Sequence, residues 1–367
     1  MIVFPMEVRM ILAFIMALVV TWIMIPPIVK ISRLKKLVAL PNGRTSHDGA
    51  IPTLGGVAIF ASVVIGSGLF MPDNYPGEFQ FLVPAMVILF FIGLQDDVAG
   101  LQPRIKLAGQ ILSSLIAIIA ADIRMTTLHG LFGINEISYI ASILISLVIF
   151  IGVINAFNLV DGIDGLASGL GIVISIVFGV WLAMLGRTHY AIFSFALAGS
   201  LIAFYRFNVF SSKNKLFMGD TGSMLIGFMF AVMVVKVLCC QVDPDSFLHM
   251  KAFPVVAISL MILPVSDTLR VMTLRIVRGK SPFYADRTHC HHDLLNLGFS
   301  HRHASNIMVA GNLLLFFVAL LLKNLPSFVL GVMMLGIGIL ACSLPKFWSR
   351  VILKQPAKVD VHLTLAE

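Results

Sequence analysis

Residues 138–166 read SYIASILISLVIFIGVINAFNLVDGIDGL, and the change of character inside this stretch decides the fold. From Ile140 to Ile154 it carries no charge and suits a hydrocarbon core about 30 Å thick, which a helix of about 20 apolar residues crosses. At Asn155 the run turns polar. Residues three apart on a helix are neighbours, so Asn155, Asn158 and Asp161 form one ridge, while Gly162 and Gly165 permit a break or a close backbone approach. Placing two amides and two carboxylates among Phe157, Leu159, Val160 and Ile163 at a membrane edge is unfavourable. Hydrogen bonds between helices would explain the amides but not Asp161 and Asp164.

The same apolar signal recurs along the chain. Of 367 residues, 59% are hydrophobic and 12% charged, against roughly 45–50% and 25% in soluble domains. The expected fold is therefore all-α and polytopic, with eleven spans near residues 8–29, 51–71, 79–95, 105–121, 138–157, 166–185, 189–207, 222–239, 252–274, 305–322 and 327–345. The first is too long for a signal-peptide core and lacks a cleavage site, so it is expected to be retained. No soluble domain fits between spans. Residues 1–367 are expected to form one membrane-embedded domain, with 355–367 as a flexible tail.

Charge sets the orientation. Of 26 Lys and Arg, six (Arg9, Arg124, Arg187, Lys236, Lys251 and Lys323) fall on one side and the rest on the other. Positive loops stay cytoplasmic, so the N-terminus is expected outside and the C-terminus in the cytoplasm. The net charge of +8 flanks spans rather than forming a compact patch, which points to anionic lipid headgroups and away from nucleic acid. Four cysteines, Cys239 and Cys240 adjacent and Cys290 and Cys342 isolated, form no disulfide framework and no C-x-x-C pair.

Five aspartates stand at span ends on the expected cytoplasmic face. Asp96 and Asp97 close span 3, and adjacent carboxylates repel unless a cation or proton lies between them. Asp161 and Asp164 follow span 5. Asp220 sits in Phe217-Met-Gly219-Asp220-Thr-Gly-Ser223, a glycine-flanked turn entering a helix, where free amides and the positive dipole end suit a phosphate or an ionised carboxylate. Beyond span 9 come Arg275, Arg278, Lys280, Asp286, Arg287 and then His289-Cys290-His291-His292. That spacing matches no common zinc motif, so hydrogen bonding to phosphate or sugar is the expected role. Asp267 and Arg270, three apart, are able to pair. Convergence of these loops would combine hard carboxylate oxygens, glycine turns and cations, an inventory that fits Mg²⁺ better than Ca²⁺ or Zn²⁺ and implies phosphoryl transfer.

Ile51-Pro-Thr-Leu-Gly-Gly56, Asp96-Asp97, Asn155 to Leu166, Phe217 to Ser223 and Ser281-Pro-Phe with the histidine cluster resemble the polyprenyl-phosphate N-acetylhexosamine-1-phosphate transferase family, within glycosyltransferase family 4. The likeness covers nearly the whole chain. It implies transfer of a sugar 1-phosphate from a UDP-sugar to a polyprenyl phosphate in the inner membrane, with a cytoplasmic active site, releasing UMP and beginning a cell-envelope glycan. Mg²⁺, or Mn²⁺ in its place, is the implied cofactor. By the matching motifs Asp220 and Asp161 would hold the metal, and Asp96, Asp97, Asp161 and Asp164 would be the catalytic carboxylates. Asn155, Asn158, Phe217, Gly219, Arg275, His289, His291 and His292, with Arg44 and His47 from the first loop, would bind substrate, Phe217 stacking on uracil. A homodimer is compatible with the resemblance.

The separated pattern His289-x-His291-His292 is similar to the GlcNAc-1-phosphate branch, so UDP-GlcNAc is the expected donor, with another UDP-N-acetylhexosamine as the alternative. Gly100 and Ala39 stand where many members carry an acid. The rival class is a secondary transporter, which would place its charges near the bilayer midplane and show related halves. Here the acids fall at span ends and the halves do not match.

Overall fold

A computed structural model describes residues 4–39, 51–72, 77–130, 133–240, 242, 243, 245, 246, 248–281 and 288–353. The helices are α1 (Met6–Leu34), α2 (Gly55–Phe70), α3 (Phe79–Ala99), α4 (Pro103–Leu115), α5 (Tyr139–Val160), α6 (Leu166–Met184) and α7 (Thr188–Phe210). They continue with α8 (Gly219–Leu238), α9 (Phe253–Ser259), α10 (Ile262–Val277), α11 (Cys290–Asn296), α12 (His301–Leu321) and α13 (Ser327–Leu353). Strands β1 (Val38–Ala39) and β2 (Ile51–Pro52) pair antiparallel in register Val38↔Pro52. α4 runs on through a π-helical turn, Ile116–Ala120.

Among the described residues nine helices are long and apolar enough to cross a membrane, making this a multi-pass membrane protein. The eleven expected segments all fall on helices, but two differ from simple spans. α2 has 16 residues, about 24 Å at 1.5 Å per residue, which is less than a hydrocarbon core of about 30 Å. The segment expected at 252–274 is two helices, α9 and α10, bent by 78°. Pro264 removes the N–H that would reach the Leu260 carbonyl in a continuous helix. Asn312 of α12 compensates at the break: its Nδ2 donates to Leu260 O at 2.8 Å, and its Oδ1 accepts from Leu263 N–H at 3.1 Å. In lipid such backbone groups must find a partner inside the protein.

α8 is the hub. It is buried along nearly its whole length and packs against α2, α3, α5, α6 and α9. Phe150 meets Phe228 and Phe157 meets Phe230, with ring centroids 5.5 and 4.8 Å apart, locking α5 to α8. Such pairs add about 0.5–1.5 kcal/mol beyond the area they bury. Elsewhere small hydroxyls join helices: Thr21 Oγ1 donates to Ser200 Oγ at 2.9 Å and Ser62 Oγ donates to the same oxygen at 2.8 Å, tying α1 and α2 to α7.

Near the end of α3, Gly93 lets its backbone lie against the first turn of α8. A Cβ there would stand 2.7 Å from Thr221 N and closer still to Thr221 Cα. Gly93→Ala is therefore expected to force α3 and α8 apart, destabilising the protein by about 1–3 kcal/mol. Thermal unfolding in detergent should show a lowered midpoint for Gly93→Ala and none for Gly68→Ala, whose Cβ would meet nothing within 4 Å. Equal midpoints would contradict the close approach.

Candidate active site

The site is assembled at the start of α8. Gly219 adopts φ 73°, and a Cβ there would run into Thr53 O and both carboxylate oxygens of Asp97. Only glycine suits that position. The turn before it is held from the β2–α2 side, where Phe217 N–H donates to Pro52 O at 2.7 Å, and Gly55 and Gly56 N–H donate to Phe217 O and Met218 O at 3.0 and 2.9 Å. The Pro-Thr-Leu-Gly-Gly motif thus acts through its backbone. Half-buried Phe217 stands beside the cluster.

Asp97, expected among the catalytic carboxylates, caps α8 in the structure. Its Oδ1 accepts from Asp220 N–H at 2.8 Å, and its Oδ2 accepts from Thr221 N–H at 3.0 Å and from the Thr221 hydroxyl at 2.6 Å. Both oxygens are committed to a helix N-terminus, the place where a carboxylate is most favoured. These bonds position α8.

Asp96, one residue earlier, pairs with the segment that follows α3. Its Oδ1 accepts from Leu101 N–H at 2.7 Å and its Oδ2 pairs with Lys106 Nζ at 3.0 Å. The same ammonium pairs with Asp220 Oδ2, so Lys106 bridges Asp96 and Asp220. Asn158 Nδ2 donates to Asp220 Oδ1 at 3.0 Å and to Ser223 Oγ at 2.9 Å. Asp161, just past α5, accepts from Gly219 N–H. Burial, then the charges of Asp220, Asp97 and Asp164, holds the Asp161 carboxyl well above the usual carboxylate range. Crowded anions of this kind favour a cation among them, and Lys106 already occupies one such position.

Other expected residues lie around this core. Asn155 Nδ2 donates to Gln110 Oε1 at 2.9 Å and to Ile151 O at 2.8 Å, joining α5 to α4. Asp164 turns from the cluster, with its Oδ2 2.6 Å from Lys215 Nζ and 3.8 Å from His301 Nδ1. His291 packs its Nε2 edge against Gly162, bringing the histidine segment to the Asp161–Asp164 turn. Burial, then His292 and His289, pushes the His291 imidazole down to about 3, so it is neutral at physiological pH. His289 bonds to Asp267, with Nδ1 2.8 Å from Oδ2, and His292 tilts against His291 at a centroid distance of 4.3 Å. Buried Arg275 lines a cavity of about 830 Å³ together with Lys106, Gln110, Asn155, Asn158 and Leu159. Arg44 and His47 lie outside the described residues.

Sequence reasoning missed Lys106 and Gln110. In the sequence Lys106 is one of the twenty cations on the expected cytoplasmic side. The signal available was its place ten residues after Asp96, beyond Gly100, which ends α3 with φ 70° and turns the chain back. Gln110 follows Lys106 by four, on the same face of α4.

No three His, Cys, Asp or Glu side chains among the described residues form a preformed metal cage. Asp220 and Asp161 still suit Mg²⁺, which is commonly held by one or two carboxylates and completed by water and substrate phosphates. The arrangement can neutralise, orient and bring together two phosphorylated reactants beside apolar walls.

Comparison with known proteins places this geometry. Residues 79–238, which carry α3 to α8 and all five aspartates, match the glycosyl transferase family 4 description. The chain is 30% identical to undecaprenyl-phosphate alpha-N-acetylglucosaminyl 1-phosphate transferase of Escherichia coli (strain K12) over 282 residues, 75% of this chain and 73% of the relative. Its counterpart of the same name in Yersinia pestis is 30% identical over 312 residues, 83% of this chain and 82% of the relative. Decaprenyl-phosphate N-acetylglucosaminephosphotransferase of Mycolicibacterium smegmatis is 32% identical over 292 residues, 73% and 70% of the two chains. Identity at this level, spread over more than two thirds of each relative and including the helices that gather the carboxylates, means that this chain belongs to glycosyl transferase family 4.

Proposed function

We propose that the protein transfers N-acetylglucosamine 1-phosphate from UDP-GlcNAc to undecaprenyl phosphate or another polyprenyl phosphate, giving the polyprenyl diphosphate sugar and UMP. One observation carries this assignment: Asp96 and Asp220 share the ammonium of Lys106, Asp161 lies near Asp220, and Lys106 lines a cavity of about 830 Å³. A lipid phosphate needs a charged head site that opens sideways onto grease. A second cavity of about 230 Å³, lined by Val148, Ile149, Val153, Leu238, Ile258 and neighbours, shares Thr268 and Met272 with the first. Together they offer an isoprenoid chain a path along α5 and the bent α9–α10 pair.

In the reaction an oxygen of the lipid phosphate attacks the β-phosphorus of the UDP-sugar. A new P–O–P bond forms as the bond from that phosphorus to the bridging oxygen breaks, and the oxygen departs with UMP. Two anions must meet. Unit like charges 4 Å apart repel by about 4 kcal/mol at an effective dielectric of 20. Lys106 and Arg275 both line this cavity and supply positive charge to it. Asp96, held by Leu101 N–H and Lys106, orients the incoming phosphate, and Asn158 keeps Asp220 aimed at the shared space. Mg²⁺, or Mn²⁺, would be held by Asp220 and Asp161 and supplies further neutralisation of phosphate charge. Positioning and charge neutralisation suffice for phosphoryl transfer, so no covalent phospho-enzyme is invoked.

The site opens to the cytoplasm in this proposal, in the inner membrane. There are eleven crossings, α2 and the bent pair counting as one each, with the N-terminus outside. The Lys and Arg bias supports that orientation.

Purified protein with UDP-GlcNAc, polyprenyl phosphate and Mg²⁺ should release UMP, and EDTA should abolish the release. A panel of UDP-N-acetylhexosamines tests the choice of sugar. Asp220→Asn is expected to lose nearly all turnover, and retained activity would contradict its metal role. Asp96→Asn should lower kcat by about 100-fold or more while UDP-GlcNAc binding, measured by calorimetry, stays near wild type. Lost binding would instead put Asp96 in the nucleotide site.

A further inference from the structure

Arg206, near the end of α7, and Arg302, on the first turn of α12, share one aromatic ring. Their guanidinium carbons lie 5.7 and 4.6 Å from the ring centroid of Phe210. Guanidinium groups stack on aromatic faces, and here that attraction gathers two like charges. Both arginines are exposed, and among the described residues neither forms a hydrogen bond or an ion pair. Asp164, whose turn packs on the same helices, is buried and engaged with Lys215 at 2.6 Å. The first turn of α12 carries no acid. Two cations held at one ring favour an anion beside them.

The surroundings indicate which anion. Asn208 ties the end of α7 to the segment entering α8, its Nδ2 donating to Leu216 O at 2.9 Å, so the arginines stand at the same end of the bundle as the carboxylate cluster. Apolar surface adjoins them: Phe210 is 46% exposed, and Ile307, little more than a turn along α12 from Arg302, is 44% exposed. Aromatic rings at the ends of membrane spans lie at headgroup level. A free anion gains nothing from that grease, whereas a phospholipid offers phosphate to the arginines and acyl chain to Phe210 and Ile307. Behind the ring, Tyr205 meets Phe210 edge-on at 5.9 Å and lies against Gly165, where a Cβ would come within 3.0 Å of it. Val209 and Ser305 border the same glycine, so α6, α7 and α12 meet at the turn that follows Asp164.

We propose that Arg206, Phe210 and Arg302 form a binding site for the phosphodiester headgroup of an anionic phospholipid at the membrane surface. The guanidinium groups donate to phosphate oxygens, and the ring of Phe210 holds them in place. A bound headgroup ties α7 to α12 beside the Asp164–Gly165 turn. The site is separate from the transfer chemistry and does not rest on the transferase reading.

Native mass spectrometry of the full chain in detergent, titrated with dioctanoyl phosphatidylglycerol, tests this. Wild type is expected to bind one molecule more tightly than the rest. Arg206→Gln and Arg302→Gln should each weaken that step by about fivefold. Phe210→Leu, which keeps the apolar surface and removes the ring face, should weaken it by about two- to fivefold. Lys213→Gln removes an exposed cation close by in sequence and should change it by less than about twofold. Dioctanoyl phosphatidylcholine should bind wild type and the Arg206→Gln, Arg302→Gln double variant equally. Equal phosphatidylglycerol affinity in wild type and the double variant would overturn the site. So would an equal loss in Lys213→Gln, which marks diffuse attraction to the basic face. Inorganic phosphate in excess should leave the lipid bound; displacement would overturn the assignment in favour of a free anion.

Discussion

The carboxylate of Asp97 on the first turn of α8 is the contact on which the rest of the site depends. It accepts from two backbone N–H groups and a hydroxyl at the end of a helix whose free amides carry partial positive charge. Holding α3 to α8 there fixes Asp96 and Asp220 close enough to share one ammonium. Gly93 removes the steric barrier to that docking, and Gly219 supplies the left-handed turn that delivers the amides. Loss of the cap would leave Lys106, Leu101 N–H and Asn158 to hold the two carboxylates against their mutual repulsion.

Such a cluster needs a rigid frame, and the membrane core provides one. α8 is encircled by other helices, so its N-terminus has little freedom to retreat from the anions around it. The opposite choice is made on the far wall of the cavity. There the α9–α10 bend interrupts a span, and Asn312 satisfies the exposed backbone groups. A straight helix would carry Thr268, Met272 and Arg275 along a different line. The break therefore sets how α10 lines the cavity that Lys106 and Asn158 also line.

How much of this was legible in the sequence follows from the range of each interaction. Hydrophobic runs and helix ends are local, so the all-helical membrane fold and the grouping of Asp96, Asp161 and Asp220 could be read from composition and motif. Which member of an adjacent acidic pair caps α8 is decided by a helix 123 positions away, and that member is Asp97. Lys106 looked like any loop cation because its partners come from α3 and α8. Asp164 carries the same motif as Asp161 but is drawn off by Lys215, 51 positions on. Pro264 was a visible cue to the broken span, but its consequence depended on Asn312, which no periodicity connects to it. The Asp267–Arg270 spacing showed that the two could pair, and nothing in it pointed to His289.

The most direct test of the central claim is a Mn²⁺ titration followed by electron paramagnetic resonance on purified protein with bound UDP. If Asp161 and Asp220 hold one cation as proposed, wild type should bind one equivalent of ion, and Asp220→Asn should bind none at the same concentration. An ion retained unchanged in Asp220→Asn, or no stoichiometric site in wild type, would contradict the account.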